Sequence, residues 1–239
     1  MASSTKRAGV IFDLGNTLVA YFQKSDWPGI LSRSIDEATR YLCDRDLFRI
    51  DRAELPQRVE AERREPWDHR VRPLEGRLAR IFELSKRDLA NGVEMELCRR
   101  FMRPTFAAGR RYDDVLPTLE TLRNRGLRTA ILSNTPWGSP ACLWREEVAR
   151  FGLEQAVHVV AFCRDAGYRK PARQAFDYVT RQLGVSAGQC LFVGDDPRWD
   201  VVGPQAAGME AILVDRTRSV GAGGDPPIHQ LRELLDRLW

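Results

Sequence analysis

Apolar residues along this 239-residue chain follow two different rhythms. Near the start, Val10-Ile11-Phe12 forms a short unbroken apolar run. From about residue 109 onward such runs recur, at Ala130-Ile131-Leu132, Val159-Val160-Ala161-Phe162, Leu191-Phe192-Val193 and Ala211-Ile212-Leu213-Val214. Runs of this length without polar alternation predict strands of a parallel sheet covered on both faces. They place strands at residues 8–14, 128–133, 157–163, 189–195 and 210–215. Helices alternate with them; the one at 115–124 stops at Gly126. A Gly/Pro-rich loop at 221–227 precedes a closing helix at 228–238.

Residues of about 20–108 repeat their apolar positions at helical spacing instead. Ile30, Leu31, Ile35, Ala38 and Leu42 share one face, with Asp26 as the expected cap and Pro28 in the first turn. Leu74, Leu78, Ile81 and Phe82 mark a second stripe, and Val93, Leu97, Phe101 and Met102 a third. Pro56, Pro66, Pro73 and Pro104 punctuate the region. The expected fold class is α/β, a Rossmann-like three-layer core with a mostly parallel sheet. Residues 1–20 and 109–239 build the core, and residues 21–108 form an inserted α-helical cap. Such an insertion covers the carboxyl ends of the strands, where open α/β sheets bind ligands.

Composition narrows this only slightly. Charged residues make up 29% and the net charge is +4, ordinary for a soluble globular chain. Arginines alternate with acids along the chain and form no basic stripe with interleaved aromatics, so nucleic-acid binding is not expected. No apolar run is long enough to span a bilayer. The N-terminal residues carry no apolar signal core, so the expected location is the cytoplasm. Cys43, Cys98, Cys142, Cys163 and Cys190 are scattered, without a C-x-x-C, and read as reduced. Cys163 and Cys190 fall in predicted buried strands.

The polar residues at the predicted strand ends carry the chemistry. The first strand ends in Asp13, followed by Gly15, Asn16 and Thr17. The second ends in Ser133-Asn134-Thr135, and Gly167-Tyr168-Arg169-Lys170-Pro171 follows the third. The fourth ends in Gly194-Asp195-Asp196, with Asp200 beyond it. Their convergence would gather carboxylates, one ammonium and one hydroxyl. Carboxylate oxygens suit Mg²⁺, which takes few protein ligands plus water and substrate phosphate. Lys170 would offset the negative charge and hold a phosphate oxygen, and Ser133 would donate to it. The sum reads as a phosphoryl-transfer site. Asp196 reads more readily as a turn cap than as a ligand. Trp137, Tyr21 and Trp27 are divided between lining the site and packing. Lys24, Asp26, Arg33, Asp68 and His69 are candidates from the insertion for facing it.

Four segments together resemble the haloacid dehalogenase superfamily. They are Phe-Asp-Leu-Gly-Asn-Thr-Leu at 12–18, Leu-Ser-Asn-Thr at 132–135, Gly-Tyr-Arg-Lys-Pro at 167–171, and the Val-Gly-Asp-Asp stretch that opens 193–209. The resemblance implies that Asp13 attacks phosphorus and forms an aspartyl-phosphate. It implies that Asp13, the Gly15 carbonyl and Asp195 hold Mg²⁺, with Asp200 behind them or as an alternate ligand that also orients Lys170. Ser133 and Lys170 would bind the phosphoryl group of a small phosphorylated molecule. Thr17 and Asn134 would support the nucleophile loop or contact substrate.

The chain departs from the resemblance at Gly15, where phosphatases of this family carry an aspartate that moves protons. General acid–base help of that kind contributes about 10²–10⁴-fold. Four readings follow. A phosphatase without that acid would favour leaving groups of low pKa, aryl or acyl phosphates over alkyl ones. Related phosphonatases carry alanine here and use a cap lysine, for which this insertion offers only Lys24 and Lys86. Related dehalogenases carry tyrosine here and lack the acid corresponding to Asp195. A weakly active relative with a binding role is the fourth. The side chain of the insertion nearest Gly15 discriminates among them.

Overall fold

The computed structural model describes residues 7–218 and 226–238, apart from the side chain of Lys24. In chain order the elements are β1 (Gly9–Phe12), β2 (Val19–Ala20), α1 (Trp27–Cys43), α2 (Leu55–Glu62), α3 (Leu74–Ile81) and α4 (Val93–Ala107). Next come β3 (Arg110–Arg111), α5 (Val115–Asn124), β4 (Arg128–Ser133), α6 (Ala141–Arg150), β5 (Val159–Phe162) and α7 (Cys163–Ala166). The chain continues through α8 (Arg173–Leu183), β6 (Cys190–Gly194), α9 (Gly203–Ala206), β7 (Glu210–Leu213) and α10 (Glu233–Leu238).

Five strands form one sheet in the order β5-β4-β1-β6-β7. Each neighbouring pair is parallel, with Phe12 beside both Ile131 and Val193. The unbroken apolar runs explain this burial on both sides. Val10, Phe12, Ile131, Leu191 and Val193 face one apolar cluster. Ile11, Ala130, Leu132 and Phe192 face the other, where Phe176 of α8 meets Phe192 edge-on at 5.6 Å. Helices thus cover both faces. From β1 the chain builds outward through β4 and β5, then crosses to the other side of β1 for β6 and β7. At such a reversal the connections diverge, and a crevice opens at the carboxyl ends.

The inserted segment leaves and returns through β2 and β3, an antiparallel pair with Val19 opposite Arg111 and Ala20 opposite Arg110. Between them α1 packs along α4. Leu31, Ile35, Leu42, Leu97, Phe101 and Met102 belong to the same apolar cluster as Phe12 and Val193. The core of the insertion therefore merges with one face of the sheet. Backbone bonds also dock it: the Val71 N–H donates to the Gly167 carbonyl at 3.0 Å, and the Arg169 N–H to the His69 carbonyl at 2.8 Å.

Three local expectations change. Asp26 precedes α1, but its carboxylate accepts from the Gln23 N–H at 2.9 Å and caps nothing in α1. Asp26 is itself in helical geometry, closing a 3₁₀ turn, so its side chain points back. The third strand of the sheet stops at Phe162, and buried Cys163 opens α7 instead. The closing helix begins at Glu233, because Ile228 is drawn into a strand-like bridge with Val214. Of the loop at 221–227, only its last two residues lie among those described.

Candidate active site

The parallel register brings the ends of β1, β4 and β6 level, and each delivers a polar side chain to one edge. The Asp13 N–H still donates to the Val193 carbonyl at 2.9 Å, so the residue just past β1 is held in the sheet ladder. Ser133 closes β4, and Asp195 follows β6. Lys170 arrives from the loop between α7 and α8. Its ammonium donates to Asp13 Oδ1 at 2.6 Å and to Asp200 Oδ1 at 2.6 Å. Asp200 sits in a π-helical turn, Pro197–Val202, with its other oxygen accepting the Asp196 N–H at 3.1 Å. Gly194 permits that approach: a Cβ there would lie 2.5 Å from the Asp200 carboxyl.

Ligand oxygens of Asp13, Asp195 and Asp200 lie within 4.8 Å of one another. One buried ammonium faces three acids, so negative charge is undercompensated. Burial, then the charges of Asp13 and Asp200, push the Asp195 carboxyl up to about 8. Asp200 is raised as well, mainly by burial, against the pull of Lys170. Lys170 shifts upward: its two carboxylate partners outweigh its burial. A hard divalent cation among these oxygens would relieve the repulsion, so the donor set fits Mg²⁺.

Above this floor opens a cavity of about 450 Å³. Asp13, Gly15, Asn16, Ser133, Lys170 and Asp195 line its base. Its walls are aromatic: Tyr21, Phe22, Trp27, Trp137, Trp144 and Trp199. Arg63, Glu65 and Arg169 add charge, but Glu65 is already held by Arg77 at 2.7 Å and by Arg169 at 2.6 Å. Arg77 is fully buried and also binds the Arg72 and Glu62 carbonyls, while its guanidinium lies 5.5 Å from the centre of the Trp137 ring. It thereby pins the loop that carries Arg63 and Glu65 onto the wall.

Trp137 holds a left-handed backbone, φ 54°, a conformation unfavourable for a bulky residue. Gly138 follows at φ 65°, and a side chain there would collide with the Arg72 carbonyl. The turn after Ser133-Asn134 is therefore held tightly against the insertion.

The other expected residues distribute unevenly. Asn134 clamps the backbone of Lys170, with Lys170 N–H donating to its Oδ1 at 2.9 Å and its Nδ2 donating back to the Lys170 carbonyl at 3.1 Å. Its amide is thereby committed to positioning Lys170. Thr17 is wholly buried beneath the loop and is not among the lining residues, while its carbonyl accepts from Arg216 at 2.9 Å. Asn134 still lines the cavity, whereas Thr17 does not. Asp196 caps the π turn, accepting the Arg198 and Trp199 N–H groups at 2.9 and 3.0 Å.

Among the insertion's candidates, Asp26, Arg33, Asp68 and His69 do not line the cavity, and the side chain of Lys24 lies outside those described. Lys86 is exposed and lines no part of the cavity, so it offers no amine for phosphonate cleavage. Instead the Tyr21 ring faces Gly15, with a carbon 3.9 Å from where a Cβ would sit. The Tyr21 hydroxyl is buried without a hydrogen-bond partner, and burial raises its pKa. A raised phenol is a poor proton donor near neutrality. Sequence reasoning missed Arg63, Glu65, Arg77 and Trp144, which carry no motif, and gave no role to Arg169 and Trp199, which lie inside quoted segments.

The profile of haloacid dehalogenase-like hydrolases matches residues 8–208. The chain belongs to that family. Haloacid dehalogenase-like relatives include a phosphatase of Mycobacterium tuberculosis, 36% identical over 55% of this chain and 58% of its own length. A glyceraldehyde 3-phosphate phosphatase of Methanopyrus kandleri is 31% identical over the same shares. The matches thus span under two thirds of these relatives. Among solved structures, a haloacid dehalogenase-type phosphatase from Thermococcus onnurineus is 28% identical and covers 97% of both chains, with a TM-score of 0.66. A 2-haloacid dehalogenase from Pseudomonas syringae shares the fold at a TM-score of 0.67, with 21% identity and 97% and 98% coverage.

Proposed function

We propose that this chain is a Mg²⁺-dependent phosphatase of small phosphorylated molecules that works through an aspartyl-phosphate on Asp13. The observation that carries the reading is the Lys170 ammonium held 2.6 Å from both Asp13 and Asp200, with Asp195 in the same cluster. In this reading residues 1–20 and 109–239 are the catalytic core and 21–108 the cap. The phosphatase names of the Mycobacterium tuberculosis and Methanopyrus kandleri relatives support it. Among the described residues no helix is long and apolar enough to cross a membrane. Five free cysteines fit a reducing compartment, so we assign the chain to the cytoplasm.

Asp13, Asp195, Asp200 and the Gly15 carbonyl would hold the Mg²⁺, which when bound neutralises charge on the phosphoryl oxygens. Asp13 attacks phosphorus from the end of β1. Lys170 and Ser133 hold the phosphoryl oxygens, and Lys170 keeps the Asp13 carboxylate oriented. Asn134 fixes the backbone from which Lys170 projects. The cap excludes water from the Asp13 side. Among the described residues, the carboxylates lining the cavity besides the metal cluster are Glu65 and Asp196, and both are engaged elsewhere. Leaving groups that depart without a proton are therefore favoured.

Acetyl phosphate and Mg²⁺ test the reading. Phosphate release and a rapidly quenched, hydroxylamine-sensitive phosphoryl group on Asp13 are expected. No release from acetyl, aryl or alkyl phosphates would instead favour a binding role, and an unimpaired Asp13→Asn would remove the nucleophile.

A further inference from the structure

The cavity is polar at its base and largely aromatic on its walls, where the charged groups Arg63, Glu65 and Arg169 are already ion-paired. Of the six tryptophans in the chain, Trp27, Trp137, Trp144 and Trp199 line it. Each is set against neighbouring side chains, with the Arg169 guanidinium 6.0 Å from the centre of the Trp199 ring. Tyr21 meets Trp144 edge-on at 5.6 Å, and Trp27 stacks on Phe22 at 5.4 Å. Trp137 packs against Phe101 at 5.4 Å and is held by its constrained turn. The walls are therefore prepared surfaces rather than side chains awaiting a ligand. Indole and phenyl faces leave hydroxyl groups without hydrogen-bond partners, so a sugar phosphate would lose hydrogen bonds on burial there. A flat aromatic group loses none, and gains edge and face contacts.

We infer that the substrates are aryl phosphates, with the phosphoryl group on the Asp13–Lys170 floor and the aromatic ring between the tryptophans. The inference rests on the phosphatase reading and names its substrate class. Gly15 and the walls converge on it independently. No acid stands at Gly15, and a phenol ionises near about 10, against about 16 for water. An Asp13 oxygen bonds to phosphorus as the bond from phosphorus to the phenolic oxygen breaks. The phenolate leaves with the electron pair and takes a proton from solvent. Water then cleaves the aspartyl-phosphate, releasing inorganic phosphate and restoring Asp13. Acyl phosphates share the leaving-group advantage but offer the walls nothing to hold.

Two measurements separate the inference from the reading beneath it. Phenylphosphonate and methylphosphonate, neither hydrolysable, are titrated into the Mg²⁺-loaded protein by calorimetry and tryptophan quenching. Burying one ring predicts about 10- to 100-fold tighter binding of phenylphosphonate. In turnover, phenyl phosphate should exceed benzyl phosphate in kcat by about 100-fold, because the benzyl alkoxide needs a proton. It should show a KM about tenfold below that of acetyl phosphate, which has no ring. Trp27→Leu, at the half-buried rim, and separately Trp199→Leu, should each lower the phenyl-to-methyl affinity ratio several-fold. Equal binding of the two phosphonates, benzyl phosphate turned over as fast as phenyl phosphate, or ratios unchanged in both variants overturns the aryl assignment and leaves the phosphatase standing. No binding of either phosphonate and no turnover of any phosphate overturns the phosphatase reading itself.

Discussion

At the floor of the cavity, Asp13, Lys170 and Asp200 come from three separate segments and meet at 2.6 Å through charge-assisted hydrogen bonds. On its walls, Tyr21, Trp27, Trp137 and Trp144 each lie 5–6 Å from another aromatic ring and are held mainly by packing. The floor is stringent: each atom has a required partner, and removing one strands a buried charge. The walls are permissive, since many apolar shapes fill the same volume. A family can therefore hold its chemistry still while the walls change.

The largest effect should come from the centre of the floor. Asp13→Asn is expected to lower kcat about 10⁴-fold or more with phenyl phosphate while circular dichroism stays native. Retained activity would dissolve the distinction between the two regions. Lys170→Met leaves two buried carboxylates without their cation and should destabilise the metal-free protein by about 3–5 kcal/mol in urea unfolding at pH 8. A loss well below that would mean the acids hold protons and the floor is not held by charge. Gly15→Asp restores an acid where a Cβ would meet only ordinary contacts. It should raise benzyl phosphate turnover about 10- to 100-fold and phenyl phosphate turnover far less. An unchanged ratio would show that the walls, not the missing acid, set the leaving-group preference.

The smallest effect is graded with pH. The Asp195 carboxyl is raised to about 8 in the folded metal-free protein, so the fold holds a proton that the unfolded chain has released. Metal-free stability should therefore fall as pH rises from about 4 to about 8, checked by thermal melts without Mg²⁺. Mg²⁺ competes with that proton, and its affinity should gain up to about tenfold per pH unit over the upper part of that range. A flat profile would detach Asp195 from the metal cluster.

The same contrast explains what could be read from the amino acids alone. Continuous apolar runs marked the strands of the sheet, and the acids and lysine at their ends stood out because strand ends converge by topology. The alternation of apolar residues in the insertion gave helix faces without giving their phase against the core. Hence Asp26, Arg33, Asp68 and His69 were plausible partners of the site, whereas Arg63, Glu65 and Arg77 were invisible. Arg77 carries no motif; its burial beneath Trp137 follows from how the loop at 62–72 folds over β4's turn. Thr17 and Asn134 lie in the right segments, but burial of one and the bonds of the other to Lys170 decide their roles, and strand patterning is silent on that.

Gly194 makes a final point about tolerance to change. It bears no functional group, yet its missing side chain is where the Asp200 carboxyl lies. Even alanine there would displace the carboxyl whose other oxygen steadies Lys170. A screen of random variants would therefore score this glycine as severely as an acid of the floor. The inventory of positions the activity cannot lose is wider than the inventory of groups that perform it.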